Sequence, residues 1–226
     1  TQYNLLIDAQ GIAQANAISG NQRLMCVLPI HHVNGIIFTL VTPLFVGGSV
    51  VLNRAYSSST FWRRIVAERV QIVSMVPTLR QFCLDYADAQ TAKGEPIWGD
   101  GIHQQDLSRF RHLNCGAGTL AMALVKAFEE RFGFPVLHGY GLSETTCYSC
   151  FLPIDLSWEE HKGWLLDYGY PSIGCPIETN EMAIFAADGS GQPLEAGERG
   201  EICVRGHNVM LGYFKRPDAN AETFKF

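Results

Sequence analysis

The sequence has no run of lysine or arginine, and its charges are sparse: 17 basic residues against 22 acidic ones, for a formal net charge of −5. That excludes a nucleic-acid or anionic-membrane surface as the natural partner, because both demand a basic patch. A disulfide framework is missing too. The seven cysteines are odd in number and fall without scaffold spacing, which suits a reducing compartment and makes the cytoplasm the expected location. Cys147-x-x-Cys150 has no second pair and no nearby histidine, so a four-ligand zinc site is not expected. No secretory leader is visible, and the chain does not begin with methionine, which points to processing or to a cut end. Internal repeats and low-complexity tracts are absent, and nothing fits a G-x-x-x-x-G-K phosphate loop followed by Ser or Thr.

One absence is local. Residues 24–53 contain no Asp, Glu, Lys or Arg, a stretch long enough to cross a bilayer. Pro29, His31, His32, Asn34, Pro43 and Gly47-Gly48 interrupt it, and its texture changes along its length. Residues 24–30 read as a buried strand, 35–45 as an apolar helix and 48–52 as another strand, the texture of a parallel sheet covered on both faces. A transmembrane helix is therefore not expected.

What is present continues that alternation. Helices are expected at 60–69, 77–89 and 120–132, and strands at 71–75, 111–115 and 135–138, with a polar Gly- and Pro-containing loop at 90–105. With 47% apolar residues the chain has enough to build a core. Repeated strand–helix pairs imply right-handed crossovers and an open, mostly parallel α/β sheet with flanking helices. After Cys150 the texture shifts: 152–167 reads as polar and irregular and 172–176 as a turn. Strands at 181–185 and 200–204 flank the hairpin signal Asp188-Gly189-Ser190-Gly191. The expected division is an α/β unit over 1–150 and a linker with a β-rich unit over 151–226.

Tyr140-Gly141-Leu142-Ser143-Glu144-Thr145-Thr146 follows an expected strand and puts an aromatic face, a glycine, a hydroxyl and a carboxylate within five residues. The ring can stack on a base, the glycine permits close approach of backbone to ligand, and Ser with Glu can hold a phosphate and its magnesium. A second segment runs Gly200-Glu201-Ile202-Cys203-Val204-Arg205-Gly206-His207-Asn208-Val209-Met210-Leu211-Gly212-Tyr213, then Pro217 and Glu222-Thr223-Phe224. Leu28-Pro29-Ile30-His31-His32-Val33-Asn34-Gly35 and Gly116-Ala117-Gly118-Thr119-Leu120 are the third and fourth elements. Together, in their order along the chain, they resemble the adenylate-forming superfamily of acyl-CoA synthetases, nonribosomal adenylation domains and luciferases. Relatives usually carry Gly-Ala-Ala-Pro-Leu at the fourth element, and an aromatic where His31 stands.

The resemblance implies a role for each matching residue. Tyr140 would stack on adenine, with Gly116, Ala117 and Gly118 against its other face and Gly139 and Gly141 flanking the ring. Ser143 would bond the α-phosphate, and Glu144 would help hold Mg²⁺. His138 would touch the adenine amino edge through its backbone. His32 would stand near the substrate carboxylate and the pyrophosphate exit. Plain alternatives accompany each: a core tyrosine at a strand end, a helix-start glutamate favoured by the macrodipole, a satisfied core histidine. Arg205, Asn208 and Tyr213 read as structural residues of the β-rich unit, for which the resemblance implies a small distorted barrel.

The implied reaction uses ATP, a carboxylic acid and coenzyme A, forming an acyl-adenylate and then a thioester with release of AMP. The style of the Leu28–Gly35 and Val204–Met210 segments favours an acid–CoA ligase of the fatty or related organic acid type. A nonribosomal adenylation domain and a non-catalytic AMP-binding module remain as alternatives. Asn34, Ile37, Met75, Val76 and Leu142 are candidates for the acid pocket, and their apolar character hints at an aliphatic or aromatic tail. Thr1-Gln2-Tyr3-Asn4-Leu5 matches the segment just after the family's phosphate loop. Phe226 precedes the aspartate that holds the ribose hydroxyls, and also the hinge and the C-terminal domain with its adenylation lysine. The chain is therefore expected to be an internal fragment, inactive alone. A dehydrogenase is the rival class, since Gly116-x-Gly118-x-x-Ala121 is formally a dinucleotide fingerprint. It is disfavoured because no acidic residue ends the next strand.

Overall fold

The computed structural model describes residues 1–99 and 101–225. Thr1 opens the first helix, α1 (Gln2–Ala15): its hydroxyl accepts the Asn4 N–H at 3.3 Å, and the Asn4 side-chain oxygen accepts from the terminal amine at 2.6 Å. The sequence motif at 1–5 did not by itself signal a helix. Strand β1 (Arg23–Cys26) leads into the apolar segment, where the expected helix forms with a difference. Asn34–Val41 coils as a π-helix before α2 (Thr42–Phe45). The hydroxyls of Thr39 and Thr42 reach back to the Gly35 and Ile37 carbonyls, competing with the ordinary ladder.

The alternation then runs β2 (Ser49–Leu52), α3 (Ser58–Ala67), β3 (Ile72–Met75), α4 (Pro77–Ala92), β4 (His112–Cys115), α5 (Met122–Phe132) and β5 (Val136–Tyr140). The expected loop 90–105 is shorter than its pattern suggested, because α4 continues to Ala92 and a 3-10 turn starts at Gln104. Its residue Asp100 lies outside the described residues. Beyond β5 come β6 (Cys150–Phe151), α6 (Trp158–Leu166), β7 (Cys175–Pro176), β8 (Asn180–Phe185), β9 (Glu201–Gly206) and α7 (Pro217–Thr223).

Two expectations change in this part. Residues 158–166 are helical rather than irregular: Ser157 caps α6 reciprocally with Glu160. Buried His161 then meets buried Glu129 at 2.6 Å, and Glu129 also accepts the Val136 N–H at 2.8 Å. The turn expected at 172–176 contains strand β7, paired with β6.

The main sheet has the order β2-β1-β3-β4-β5-β6-β7. The first five strands are parallel and the last two antiparallel, so the mostly parallel α/β architecture stands. Alternation along each strand divides the core between the two faces. Leu24 and Ile72 join Ile12 of α1, Phe38 and Tyr148 on one side. Met25 and Val73 join Trp62, Trp98, Phe128 and Phe132 on the other. Burying each such side chain contributes on the order of 1.5–3 kcal/mol. The β-rich part is an antiparallel β8–β9 pair, and Phe185 bridges to Pro193. Among the described residues no helix is long and apolar enough to cross a membrane.

Candidate functional site

Ligands of open parallel sheets gather beyond the carboxyl ends of the strands. There β4 turns into the Gly116–Gly118 segment and β5 ends at half-buried Tyr140. The reasons for glycine in these turns are internal. A side chain at Gly116 would run into the Tyr148 hydroxyl, one at Gly139 into the Phe151 ring, and one at Gly141 into the Cys147 carbonyl. Glycine thus lets the returning segment 147–151 lie against the strand ends. At Gly118 a Cβ would sit 3.5 Å from Pro77, an ordinary contact, so the alanine of relatives would fit. Ala117 carries a left-handed backbone with φ of +58°.

Tyr140 is followed by a 3-10 turn, Ser143–Thr145, whose Ser143 is exposed and whose Glu144 is half-buried. Two bonds join Glu144 to the loop after β9. Its carbonyl accepts the Met210 N–H at 2.8 Å, and its carboxylate accepts the Tyr213 hydroxyl at 2.5 Å. That bond also pushes the Tyr213 phenol above its usual range. No basic side chain among the described residues is ion-paired with Glu144. Tyr140, Leu142 and Glu144 line a cavity of about 730 Å³ together with Cys203, Val204, Arg205, Phe224 and Lys225. The Tyr140 phenol is pushed up by burial first, then by Cys150 and Glu144. Among the described residues, Gly116–Gly118, Ser143, His138 and His32 do not line this cavity.

His32 is exposed, and its Nδ1 accepts the Asn34 N–H at 3.2 Å, which leaves Nε2 for another partner. His138 is buried. Its ring meets the Ser172 carbonyl at 2.8 Å, and its own carbonyl already accepts the Leu152 N–H at 2.9 Å. Burial, with the charge of buried Arg80 adding to it, holds the imidazole below its ordinary range. Of the acid-pocket candidates, Asn34, Ile37 and Met75 are buried, while Val76 is half-buried and Leu142 exposed. Cys147 and Cys150 are buried, and no group of three or more metal-ligating side chains occurs among the described residues.

The sequence reading left out of the site Tyr213 and the residues that hold its loop in place. Tyr213 reaches the carboxylate directly. Asn220 of α7 grips Tyr213 on both sides, its oxygen taking the Tyr213 N–H at 2.6 Å and its amide giving to the carbonyl at 3.1 Å. Buried Asp8 accepts from Asn208 at 2.8 Å, and the Thr146 hydroxyl gives to the Asn208 carbonyl at 2.6 Å. Sequence separations of 69 residues for Tyr213–Glu144 and 200 for Asn208–Asp8 left no local signal to find.

This geometry has counterparts in known proteins. The sequence model of the AMP-binding enzyme family matches residues 1–214. A probable CoA ligase of Humulus lupulus is 32% identical over the whole chain, and the sulfoacetate–CoA ligase of Cupriavidus necator is 29% identical over 99% of it. The chain spans 39% of the length of each. The O-succinylbenzoate coenzyme A synthetase of Bacillus subtilis, solved with AMP, superposes over 98% of the chain with a TM-score of 0.76 at 27% identity. The chain covers 40% of that protein. A family pattern over nearly the full sequence, carried on the same α/β scaffold, makes the chain a member of the AMP-binding enzyme family.

Proposed function

We propose that the protein carrying this chain is an ATP-dependent carboxylic acid–CoA ligase, and that residues 1–226 supply part of its adenylation site. The observation that carries this is the shared cavity lining at the end of β5, where an aromatic ring stands beside a carboxylate that has no ion-paired basic side chain among the described residues. The relatives named as CoA ligases support the thiol acceptor. In this reading a carboxylate attacks the α-phosphorus of ATP and releases pyrophosphate. The thiol of coenzyme A then displaces AMP from the mixed anhydride. The protein contributes position and charge compensation, with little covalent chemistry of its own.

Tyr140 stacks on adenine, and the Gly116–Gly118 backbone closes its other face, with Gly139 and Gly141 shaping the strand end. Ser143 gives its hydroxyl to the α-phosphate. Glu144 fits a magnesium ligand, being a half-buried carboxylate whose side-chain donor among the described residues is Tyr213. Magnesium bound there would neutralise phosphate charge. His32 offers Nε2 to the reacting carboxylate, because its other nitrogen is taken by Asn34. His138 contributes through its backbone. A cytoplasmic setting belongs to the same proposal and rests on the odd, unpatterned cysteine set.

The test is calorimetric titration with AMP and with NAD, beside a Tyr140→Ala control. AMP binding that disappears in Tyr140→Ala supports the adenine site. NAD binding instead would overturn the family chemistry. In the full-length protein Glu144→Gln is expected to lower the adenylation rate by about ten- to a hundredfold with AMP affinity little changed, as for loss of one charge-stabilising group. Adenylation at the wild-type rate would remove magnesium from Glu144.

A further inference from the structure

Behind His32 the protein interior is filled. Tyr148 is buried in the wedge between the ends of β3 and β4 and the start of the π-helix. Its hydroxyl accepts the Asn34 amide at 3.1 Å, and the Asn34 oxygen accepts the Ser74 hydroxyl at 2.7 Å. Its ring packs against Phe38 at 5.6 Å and Phe151 at 4.4 Å between centroids, and its hydroxyl end takes the space that a side chain at Gly116 would need. Asn34, Ser74, Ile37 and Met75 are all closed to solvent. Of these, Asn34, Ile37 and Met75 are among the candidates named from the sequence for the acid pocket.

We infer that the acid taken by this site is short, because Tyr148, pinned through Asn34 to Ser74, closes the path that a long aliphatic or bulky aryl tail would follow. The inference rests on the ligase reading and narrows it. The plug is rigid as well as large: moving the ring outward would strip Asn34 of a buried partner and leave a cavity against Gly116. The Tyr148 hydroxyl and the Asn34 amide are bonded to each other and buried, so the plug stays closed to a methylene chain. Tyr148 is thus assigned as a specificity-determining residue.

The experiment is acid-dependent ATP–pyrophosphate exchange in the full-length protein, with acetate, malonate, octanoate and ferulate compared by kcat/KM. The wild type is expected to prefer acetate or malonate over octanoate and ferulate by at least about tenfold, the scale on which a pocket rejects surplus bulk. Tyr148→Ala is expected to raise octanoate or ferulate relative to malonate by about tenfold or more. Wild-type preference for octanoate or ferulate would overturn the inference and leave the ligase standing. So would a Tyr148→Ala variant that changes all four acids by one common factor. The wild-type profile decides the matter even where that variant fails to fold. Exchange with no acid at all would overturn the ligase reading, and this inference with it.

Discussion

Ala117 and Gly118 sit side by side with their conformational demands reversed relative to their side chains. Ala117 holds φ of +58°, which costs an L-residue about 1–2 kcal/mol, whereas Gly118 has room for a Cβ. Ala117→Gly is therefore expected to stabilise by up to about 1 kcal/mol, the relief being offset partly by a freer unfolded chain. Gly118→Ala should change stability by less than about 1 kcal/mol. Gly141→Ala forces a Cβ into the Cys147 carbonyl and should destabilise by about 3 kcal/mol or more. Denaturant unfolding of the three variants checks this, and a neutral Gly141→Ala would refute the close backbone approach. Tyr213→Phe removes the donor that Tyr213 gives to the Glu144 carboxylate. In the full-length protein it should raise the magnesium concentration for half-maximal adenylation about tenfold, as expected for a hydrogen bond to a charged group. The same substitution in a Glu144→Gln background should then add little, and an undiminished effect there would mean that Tyr213 acts elsewhere. Tyr140, Glu144 and the glycines were legible in the sequence because their motifs are contiguous. Tyr213 as the partner of Glu144 was not, since nothing local marks a contact across 69 residues.

Helix α1 shows how an element becomes part of a site without touching the cavity. Asn4 gives its amide to the His207 and Val209 carbonyls at 2.6 and 3.1 Å, and Asp8 holds Asn208, so α1 anchors the loop whose Tyr213 reaches Glu144. Burial pushes the Asp8 carboxyl up to about 7, against the opposing pull of Asn208 and the Tyr148 N–H, while in the unfolded chain it titrates near 3.8. Between those values the folded state keeps a proton that the unfolded state has released. Stability should therefore fall as pH rises from about 4 to about 7, at up to roughly 1.4 kcal/mol per pH unit, and level off above. Asp8→Asn lacks this slope, so unfolding free energies of variant and wild type should diverge in the variant's favour across that window. Parallel curves would show that Asp8 titrates normally. The strong periodic elements α3 to α5 were readable from pattern, although their ends shifted by a few residues. Helix α6 was missed despite the Ser157–Glu160 capping signal, because two acidic residues and a lysine masked a face buried through only His161 and Leu165. The π-turns of residues 34–41 depend on threonine hydroxyls finding carbonyls, which hydropathy does not report.

Stability is distributed unevenly over the whole molecule. Strands β3 and β4 are buried at every position, whereas β8 and β9 carry exposed and half-buried residues apart from buried Asn180. Native-state hydrogen exchange should find the slowest amides in β1, β3 and β4, and the β8–β9 pair opening at markedly lower free energy. Equal protection in β9 and β4 would mean that the hairpin shares the main cooperative unit. A cavity wall built partly on that hairpin joins a rigid strand end to a softer partner, a combination suited to admitting ligands. The amino-acid sequence by itself determined the alternation of strands and helices, the parallel sheet and the family motifs, because each is written in local periodicity or in contiguous residues. Tertiary structure alone decided that Glu144 is held by Tyr213, that the glycines serve the returning strand, and that Tyr148 fills the space behind His32. Each of these depends on which distant side chains the crossover connections bring within hydrogen-bonding or van der Waals range, and no spacing along the chain encodes that distance.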